Sequence, residues 1–243
     1  MLYAVMIPAV ICAYLVKGMC GFANTLVFST MMSFTANNVQ ISPLELVVGY
    51  PSNLILTVKN KKQLSARVWV PLALFVLLGN LPGIFLLKNG DTRMIKFIFG
   101  FIIVFLAAEM FLRERQKEQK PANPVLLGII GVCSGVMCGL FGIGALLAAY
   151  VGRTTDSSGA FKGNLGIVFL IENTFRIVVY SVTGILTLQI LRQAALLLPF
   201  MALGLFAGMK LAKSVHEKTV KTAVILMLAL SGVSLIVSNL AAL

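Results

Sequence analysis

Apolar segments long enough to cross a lipid bilayer recur along this 243-residue chain. The longest cover residues 68–87, 94–112, 165–186, 188–209 and 223–240, and a spanning helix needs about 20 such residues. A marginal segment, 43–58, is interrupted by Pro51, Ser52 and Asn53. Charged residues make up only 12% of the chain, whereas soluble domains contain about 25%. The sequence therefore predicts an all-α, polytopic membrane protein embedded in the lipid bilayer.

Two glycine-rich segments interrupt the apolar sequence. They read Lys17-Gly18-Met19-Cys20-Gly21-Phe22-Ala23-Asn24-Thr25 and Cys138-Gly139-Leu140-Phe141-Gly142-Ile143-Gly144-Ala145. The apolar stretches 4–16 and 22–34 beside the first segment would each cover about 20 Å as helices, less than a hydrocarbon core of about 30 Å. We therefore predict two re-entrant hairpins of broken helix, at residues 4–34 and 125–151.

The two halves of the chain resemble each other. Gly18 and Gly21 match Gly139 and Gly142 at an offset of 121 residues. The pairs Gly79/Gly83 and Gly204/Gly208 match at an offset of 125, and Asn53 matches Asn173 at an offset of 120. These matches predict a duplication, with repeat 1 at 1–112, a basic linker at 113–123 and repeat 2 at 124–243. Coincidence among glycines, which are common in membrane helices, is the alternative.

The positions of lysine and arginine distinguish two topologies. If each glycine segment crosses the membrane, the loop charges divide nine and nine between the two sides. If each forms a hairpin, the loops 59–67, 113–120, 153–162 and 210–221 share one side with fourteen charges, and four lie opposite. The positive-inside rule favours the hairpins. We therefore predict inverted repeats of one hairpin plus three spans in the cell membrane, with cytoplasmic basic loops and both termini outside. The net charge of +12 needs no nucleic-acid partner.

In this topology the two hairpin tips meet near the middle of the membrane. The returning half-helices, starting near Phe22 and Ile143, would point their positive N-terminal ends at the centre, an arrangement suited to a small anionic substrate. We predict that the substrate contacts Lys17, Gly18, Cys20, Gly21, Phe22, Ala23, Asn24, Thr25, Cys138, Gly139, Gly142, Ile143, Gly144 and Ala145, together with Asn53, Asn173 and Arg176.

Several of these residues have a structural alternative. A lysine as deep in the membrane as Lys17 costs free energy. Three interpretations are open: its side chain contacts the substrate, extends to the membrane surface, or pairs with a carboxylate such as that of Glu109. Glu172 and Arg176 are four residues apart, which favours a structural ion pair over a substrate contact by Arg176. Glu172 and Glu109 are the candidates for proton coupling.

The cysteines and asparagines are open to two interpretations as well. Cys20 and Cys138 serve as small apolar residues or as soft contacts for a sulfur-containing substrate. Asn53 and Asn173 form hydrogen bonds between helices or line the substrate pathway.

The sequence lacks the motifs typical of hydrolytic enzymes, metal sites and ATP-driven transporters. The single histidine, His216, lies in a basic loop, so Ser134 has no histidine base, and the cysteines lack metal-binding spacing. No Walker motif is present. The chain is therefore not expected to be an enzyme, to bind a metal or to need a cofactor.

The repeated motif, the chain length and the basic linker resemble the TauE/SafE family of sulfite and organosulfonate exporters. The resemblance rests on Ser134-Gly135-x3-Gly139-x2-Gly142-x-Gly144 and on Gly18-x2-Gly21-Phe22. It implies a transmembrane carrier of small anions such as sulfite, sulfoacetate or thiosulfate-like species. The chain departs from the family pattern at Ala23-Asn24-Thr25 and Ala145-Leu146, where further glycines and a proline are typical. The resemblance therefore leaves the individual substrate open.

Together, these patterns predict a secondary transporter that works by alternating access and holds its anion between the two tips. A passive anion channel is the alternative. The sequence leaves the oligomeric state open, with a homodimer among the options.

Overall fold

The computed structural model describes residues 2–32, 35–36, 38–115, 124–144, 147–148, 151, 154–155, 157–212 and 214, with 222, 225–226, 229, 232–233 and 236–237 near the C-terminus. Residues 116–123 of the predicted linker, Ala145, His216 and most of the last predicted span therefore lie outside the described residues.

The described part of the chain is helical and contains no β-strand. The helices are α1 (Leu2–Cys20), α2 (Asn24–Met32), α3 (Asn38–Lys59), α4 (Ala66–Asn89), α5 (Thr92–Arg115), α6 (Pro124–Phe141), α7 (Ser158–Val182) and α8 (Leu188–Leu211), with a short 3-10 helix at Lys61–Gln63. Five of the described helices, α1, α3, α4, α7 and α8, are long and apolar enough to cross a membrane. The predicted all-α, multi-pass membrane protein is confirmed.

Two helix ends differ from the sequence-based prediction. Helix α1 continues through Lys17 and Gly18 to Cys20, so its 19 residues cover about 28 Å rather than half a bilayer. Helix α6 likewise continues to Phe141. The predicted short first arms, ending at residues 16 and 137, are therefore wrong. The polar and glycine residues near the ends of α1 and α6 do not end these helices, because the helix backbones at Gly18 and Gly139 pack against α8 and α4.

Helix α3 is also continuous, although its sequence was interpreted as interrupted. It begins at Asn38 and contains both Pro43 and Pro51. A proline removes one backbone donor, so Pro51 leaves the carbonyl group of Val47 without its usual partner while the helix continues. The next residue, Ser52, turns its hydroxyl back onto the helix and donates a 2.6 Å hydrogen bond to the carbonyl oxygen of Gly49. The predicted break at residues 51–53 is wrong.

Glycines bring two pairs of helices into backbone contact. On the α4–α6 pair, a Cβ atom added to Gly79 or Gly83 would collide with backbone atoms of Val136 and its neighbours. Gly135 and Gly139 on α6 are equally close to the backbone of α4. Small residues four apart on both helices permit this approach.

The α1–α8 pair is built in the same way. A Cβ atom on Gly204 or Gly208 of α8 would meet the carbonyl groups of Ile11 or Leu15, and one on Gly18 would meet the backbone of α8. Thus α4, from the first half, packs on the glycine-containing helix α6 of the second half. Helix α8, from the second half, packs on α1 of the first half.

Hydrogen bonds set the relative directions of α1, α3 and α7. Ser42 and Tyr50 of α3 contact Tyr180 and Thr174 of α7, with oxygen–oxygen distances of 3.2 Å and 3.1 Å. The later residue of α3 contacts the earlier residue of α7, so α3 and α7 are antiparallel. Tyr14 contacts Glu45, and Lys17, which comes later in α1, contacts Asn53, which comes later in α3. Helices α1 and α3 are therefore parallel.

The close packing of α4 on α6 yields a stability prediction. We expect Gly83→Ala to lower the melting temperature of the purified protein, because the new methyl group would overlap α6 backbone, and overpacking costs about 1–3 kcal/mol. Gly128→Ala, on α6, is the matched control, because its methyl group would meet only the Phe75 ring at 3.7 Å. Equal melting temperatures for the two variants would contradict the packing described here.

Candidate functional site

Both glycine segments end a helix with the same backbone turn. Helix α1 ends at Cys20, and Gly21 follows with a φ of 87°; its amide donates a 2.7 Å hydrogen bond to the carbonyl oxygen of Lys17. Helix α6 ends at Phe141, and Gly142 follows with a φ of 73° and a 2.8 Å bond to Cys138. A positive φ at the residue after a helix favours glycine, because a Cβ atom is strained there. The turns that follow α1 and α6 thus share one backbone geometry, although Ala23 beyond the first turn also has a positive φ, of 71°.

Residues of both tips line one small polar cavity, which we call the tip cavity. Its walls are Lys17 of α1, residues 22–26 of the first tip and α2, Glu45, Gly49 and Asn53 of α3, residues 142–144 of the second tip, and Phe169 and Asn173 of α7. The space open to the centre of a water-sized sphere is about 30 Å³, room for about two such spheres. The cavity therefore has a volume suited to a small polar group.

Lys17 supplies the positive charge of the tip cavity. Its side chain is 1% exposed, and Nζ donates a 2.6 Å hydrogen bond to Oδ1 of Asn53. The snorkelling alternative is therefore wrong. The side chain of Glu109, its other proposed partner, lies outside the described residues. The ammonium group has one neutral amide acceptor and faces the cavity.

Glu45 is the residue that sequence reasoning missed. It is 5% exposed on α3, and its Oε1 accepts hydrogen bonds from the Tyr14 hydroxyl at 3.1 Å and from the side-chain amide of Asn24. A Cβ atom on Gly49 would lie 3.1 Å from that oxygen, so a glycine there makes room for the carboxylate. The sequence held a signal, because a carboxylate inside an apolar segment is a functional candidate. Leu26, Gly49 and Phe169 were also missed, as small or apolar residues without a sequence signature.

Arg176 and Glu172 form the ion pair that their spacing predicted. Nη1 of Arg176 lies 3.3 Å from Oε1 of Glu172, and both side chains are 2% exposed. Asn80 of α4 donates a 2.8 Å bond to the same carboxylate oxygen. The described bonds of Glu172 are to protein side chains, and neither Glu172 nor Arg176 lines the tip cavity.

The remaining bonds of Arg176 hold the second tip from behind. Nη2 donates to the Ser42 hydroxyl at 2.7 Å and to the Tyr180 hydroxyl at 3.1 Å. Tyr180 in turn donates to the carbonyl oxygen of Gly139 at 3.0 Å. A Cβ atom on Gly142 would lie 3.4 Å from Nη1. This cluster connects α3, α6 and α7 and fixes the position of the second tip.

Other predicted site residues lie beside the tip cavity instead of in its wall. Gly18 and Gly139 are used in helix packing, and a Cβ atom on Gly21 would meet the Lys162 side chain. Cys20 and Cys138 are buried, and the thiol of Cys138 donates to the carbonyl oxygen of Ile143 at 3.4 Å. The residues brought together around the cavity are Lys17, Phe22, Ala23, Asn24, Thr25, Asn53, Gly142, Ile143, Gly144 and Asn173.

A second, wider cavity lies between the start of α1 and the α7–α8 turn. Its volume is about 400 Å³ by the same measure, and its walls include Met6, Gln40, Lys88, Gly184 and Gln193. Lys88, its charged wall residue, is exposed, so this cavity contains no buried charge among the residues described.

A family model described as Sulfite exporter TauE/SafE matches residues 6–235 of the chain. Comparisons with curated proteins and with solved structures gave no significant match. The family match covers both glycine tips and every residue of the tip cavity. The chain belongs to the TauE/SafE family of membrane transporters that export sulfite and related sulfur compounds.

Proposed function

We propose that this chain is a secondary carrier of a small sulfur-containing oxyanion or organosulfonate, such as sulfite, and that the anion binds in the tip cavity. The observation that carries this proposal is the meeting of two equivalent glycine turns, one from each half of the chain, at a cavity that contains a buried lysine. The family match supports the substrate class.

The chemistry of the cavity fits an oxyanion. Lys17 supplies a cationic donor, and the side-chain amides of Asn53 and Asn173 supply further polar contacts. Helix α2 begins at Asn24 on the cavity wall, so its first amide groups and the positive end of its dipole are close to the bound anion. Gly142 and Gly144 let the backbone of the second tip approach the same point.

The helix contacts support inverted repeats. Helices α3 and α7 occupy equivalent places in the two halves and are antiparallel, while the α4–α6 and α1–α8 pairs exchange partners between halves. Alternating access then follows from movement of one half against the other around the anion.

The same directions support a re-entrant first hairpin. Because α1 and α3 are parallel, α3 starts on the side of the membrane from which α1 starts. With cytoplasmic basic loops, an impermeant thiol reagent added outside should label Gln40→Cys but not Ser157→Cys in a cysteine-free background, since both positions are exposed. Labelling of both positions from outside would overturn this topology.

A carrier and a passive channel differ in saturation and in counterflow. The test is uptake into proteoliposomes of sulfite, thiosulfate, sulfoacetate, taurine and acetate. The proposal predicts saturable uptake of the sulfur anions and counterflow, in which internal substrate accelerates entry of external tracer. Uptake that neither saturates nor shows counterflow would favour the channel.

Removing the buried charge should weaken anion binding. A hydrogen bond to a charged group contributes about 1.5–3 kcal/mol, so we expect Lys17→Gln to raise the KM for the transported anion about 10- to 100-fold. Lys61→Gln, on the exposed 3-10 helix, is the control and should leave the KM unchanged. An unchanged KM in both variants would remove Lys17 from the site.

Alanine variants of two glycines with the same backbone conformation distinguish the effect of local backbone strain from an effect on the cavity. Gly142 and Gly184 both have a φ of 73°, so alanine costs about 1–2 kcal/mol at either position. A Cβ atom on Gly142 would lie 3.0 Å from the side chain of Thr25, which also lines the cavity, whereas one on Gly184 would meet nothing within 4 Å. We therefore expect similar losses of melting temperature, with transport lost only in Gly142→Ala. Equal transport by both variants would contradict the proposed site.

A further inference from the structure

We propose that Glu45 takes up one proton whenever a monovalent anion enters the tip cavity, so that anion and proton cross the membrane together. This inference rests on the proposed function, because it assigns the coupling chemistry of the same cavity. It places the proton on a residue that the sequence patterns did not single out, instead of on Glu172 or Glu109.

Glu45 is positioned to exchange a proton with the cavity. Both hydrogen bonds to its carboxylate, from Tyr14 and from the amide of Asn24, go to Oε1. Within the described part of the chain, Oε2 has no hydrogen-bond partner, and the side chain forms part of the cavity wall. The carboxylate therefore has one oxygen held in place and one oxygen open for protonation.

Glu45 also lacks an ion-pair partner among the described residues, where the Glu172–Arg176 contact is the salt bridge. The ammonium group nearest along the cavity wall, Lys17, donates instead to Asn53. By contrast, Glu172 is bonded to both Arg176 and Asn80 and lies outside the cavity wall. Of these two buried carboxylates, Glu45 is the one whose charge is free to change when the cavity fills.

The ionisable groups around Glu45 leave the empty cavity close to neutral. They are Tyr14 and Lys17 on α1, Cys138 on α6, and Glu172, Arg176 and Tyr180 on α7. The buried residues of α2, α4 and α8 include no ionisable side chain, and Glu109 of α5 has a side chain outside the described residues. The Lys17 and Glu45 charges oppose each other, and Glu172 and Arg176 neutralise each other.

An entering anion disturbs this balance. The cavity would then hold two negative charges against one ammonium group, among buried side chains where like charges repel more strongly than in water. A proton on Glu45 restores neutrality and leaves the Lys17 charge balanced by the anion. The proton comes from the side of the membrane that the anion leaves and is released with the anion on the other side.

The test uses proteoliposomes and an anion that stays monovalent across the pH range, such as isethionate, so that the substrate itself carries no proton. With wild-type protein, one pH unit of inward proton gradient should drive about tenfold accumulation, and an internal pH dye should report one proton for each anion. A potassium-diffusion potential set with valinomycin should have no effect on uptake, because the pair is neutral.

The isosteric variant Glu45→Gln should keep counterflow of the anion, lose accumulation driven by the pH gradient and become sensitive to the membrane potential. Asp91→Asn, at an exposed carboxylate, is the control and should keep one proton for each anion. Because this ratio is measured for each transported anion, a smaller folded fraction does not change it. A pH-driven accumulation that persists in Glu45→Gln would overturn the assignment.

Calorimetry of anion binding in two buffers with different ionisation enthalpies gives a second readout that does not depend on transport. Wild-type protein should take up one proton for each isethionate bound, and Glu45→Gln should take up none. Wild-type protein that carries the anion without proton uptake would refute this inference and leave the proposed function intact. Wild-type protein that shows no saturable uptake or counterflow of any tested anion would refute the proposed function itself.

Discussion

Backbone-to-backbone packing at the glycines is the contact on which the rest of the structure depends. Gly204 and Gly208 of α8 lie against the α1 backbone, and Gly79 and Gly83 of α4 lie against that of α6. Lipid supplies no hydrophobic force between helices, so close packing and interhelical hydrogen bonds must hold them together. Because each half supports the glycine-containing helix of the other half, the two tips are carried to one shared point.

At that point, the demand that buried polar groups find partners shapes the chemistry. The helix ends at the two tips are each followed by a glycine with positive φ, Lys17 donates a hydrogen bond to Asn53, and Asn24 donates one to Glu45. The cavity between them is small and nearly neutral as a whole. An anion that enters therefore needs both the ammonium group and a way to cancel one negative charge, which links the proposed binding site to the proposed proton.

The sequence predicted the helical membrane architecture, the two glycine turns and the Glu172–Arg176 pair, because these follow from local spacing. It did not predict the continuation of α1 through Lys17. That continuation depends on the contact of Gly18 with α8 and on the hydrogen bond that the Lys17 ammonium group donates to Asn53. Glu45 was missed for the same reason. Its importance comes from facing Tyr14 and Asn24 of other helices, and spacing along one segment cannot reveal a neighbour from another.

The central claim is that the anion sits between the two tips. Selenite has the shape and charge of sulfite and contains an anomalous scatterer, so crystals soaked with it would locate the anion directly. The account predicts an anomalous peak in the tip cavity, beside Lys17 and the backbone of Gly142 to Gly144, that is absent from Lys17→Gln crystals. A peak confined to the wider cavity near Lys88 and Gln193, with the tip cavity empty, would contradict it.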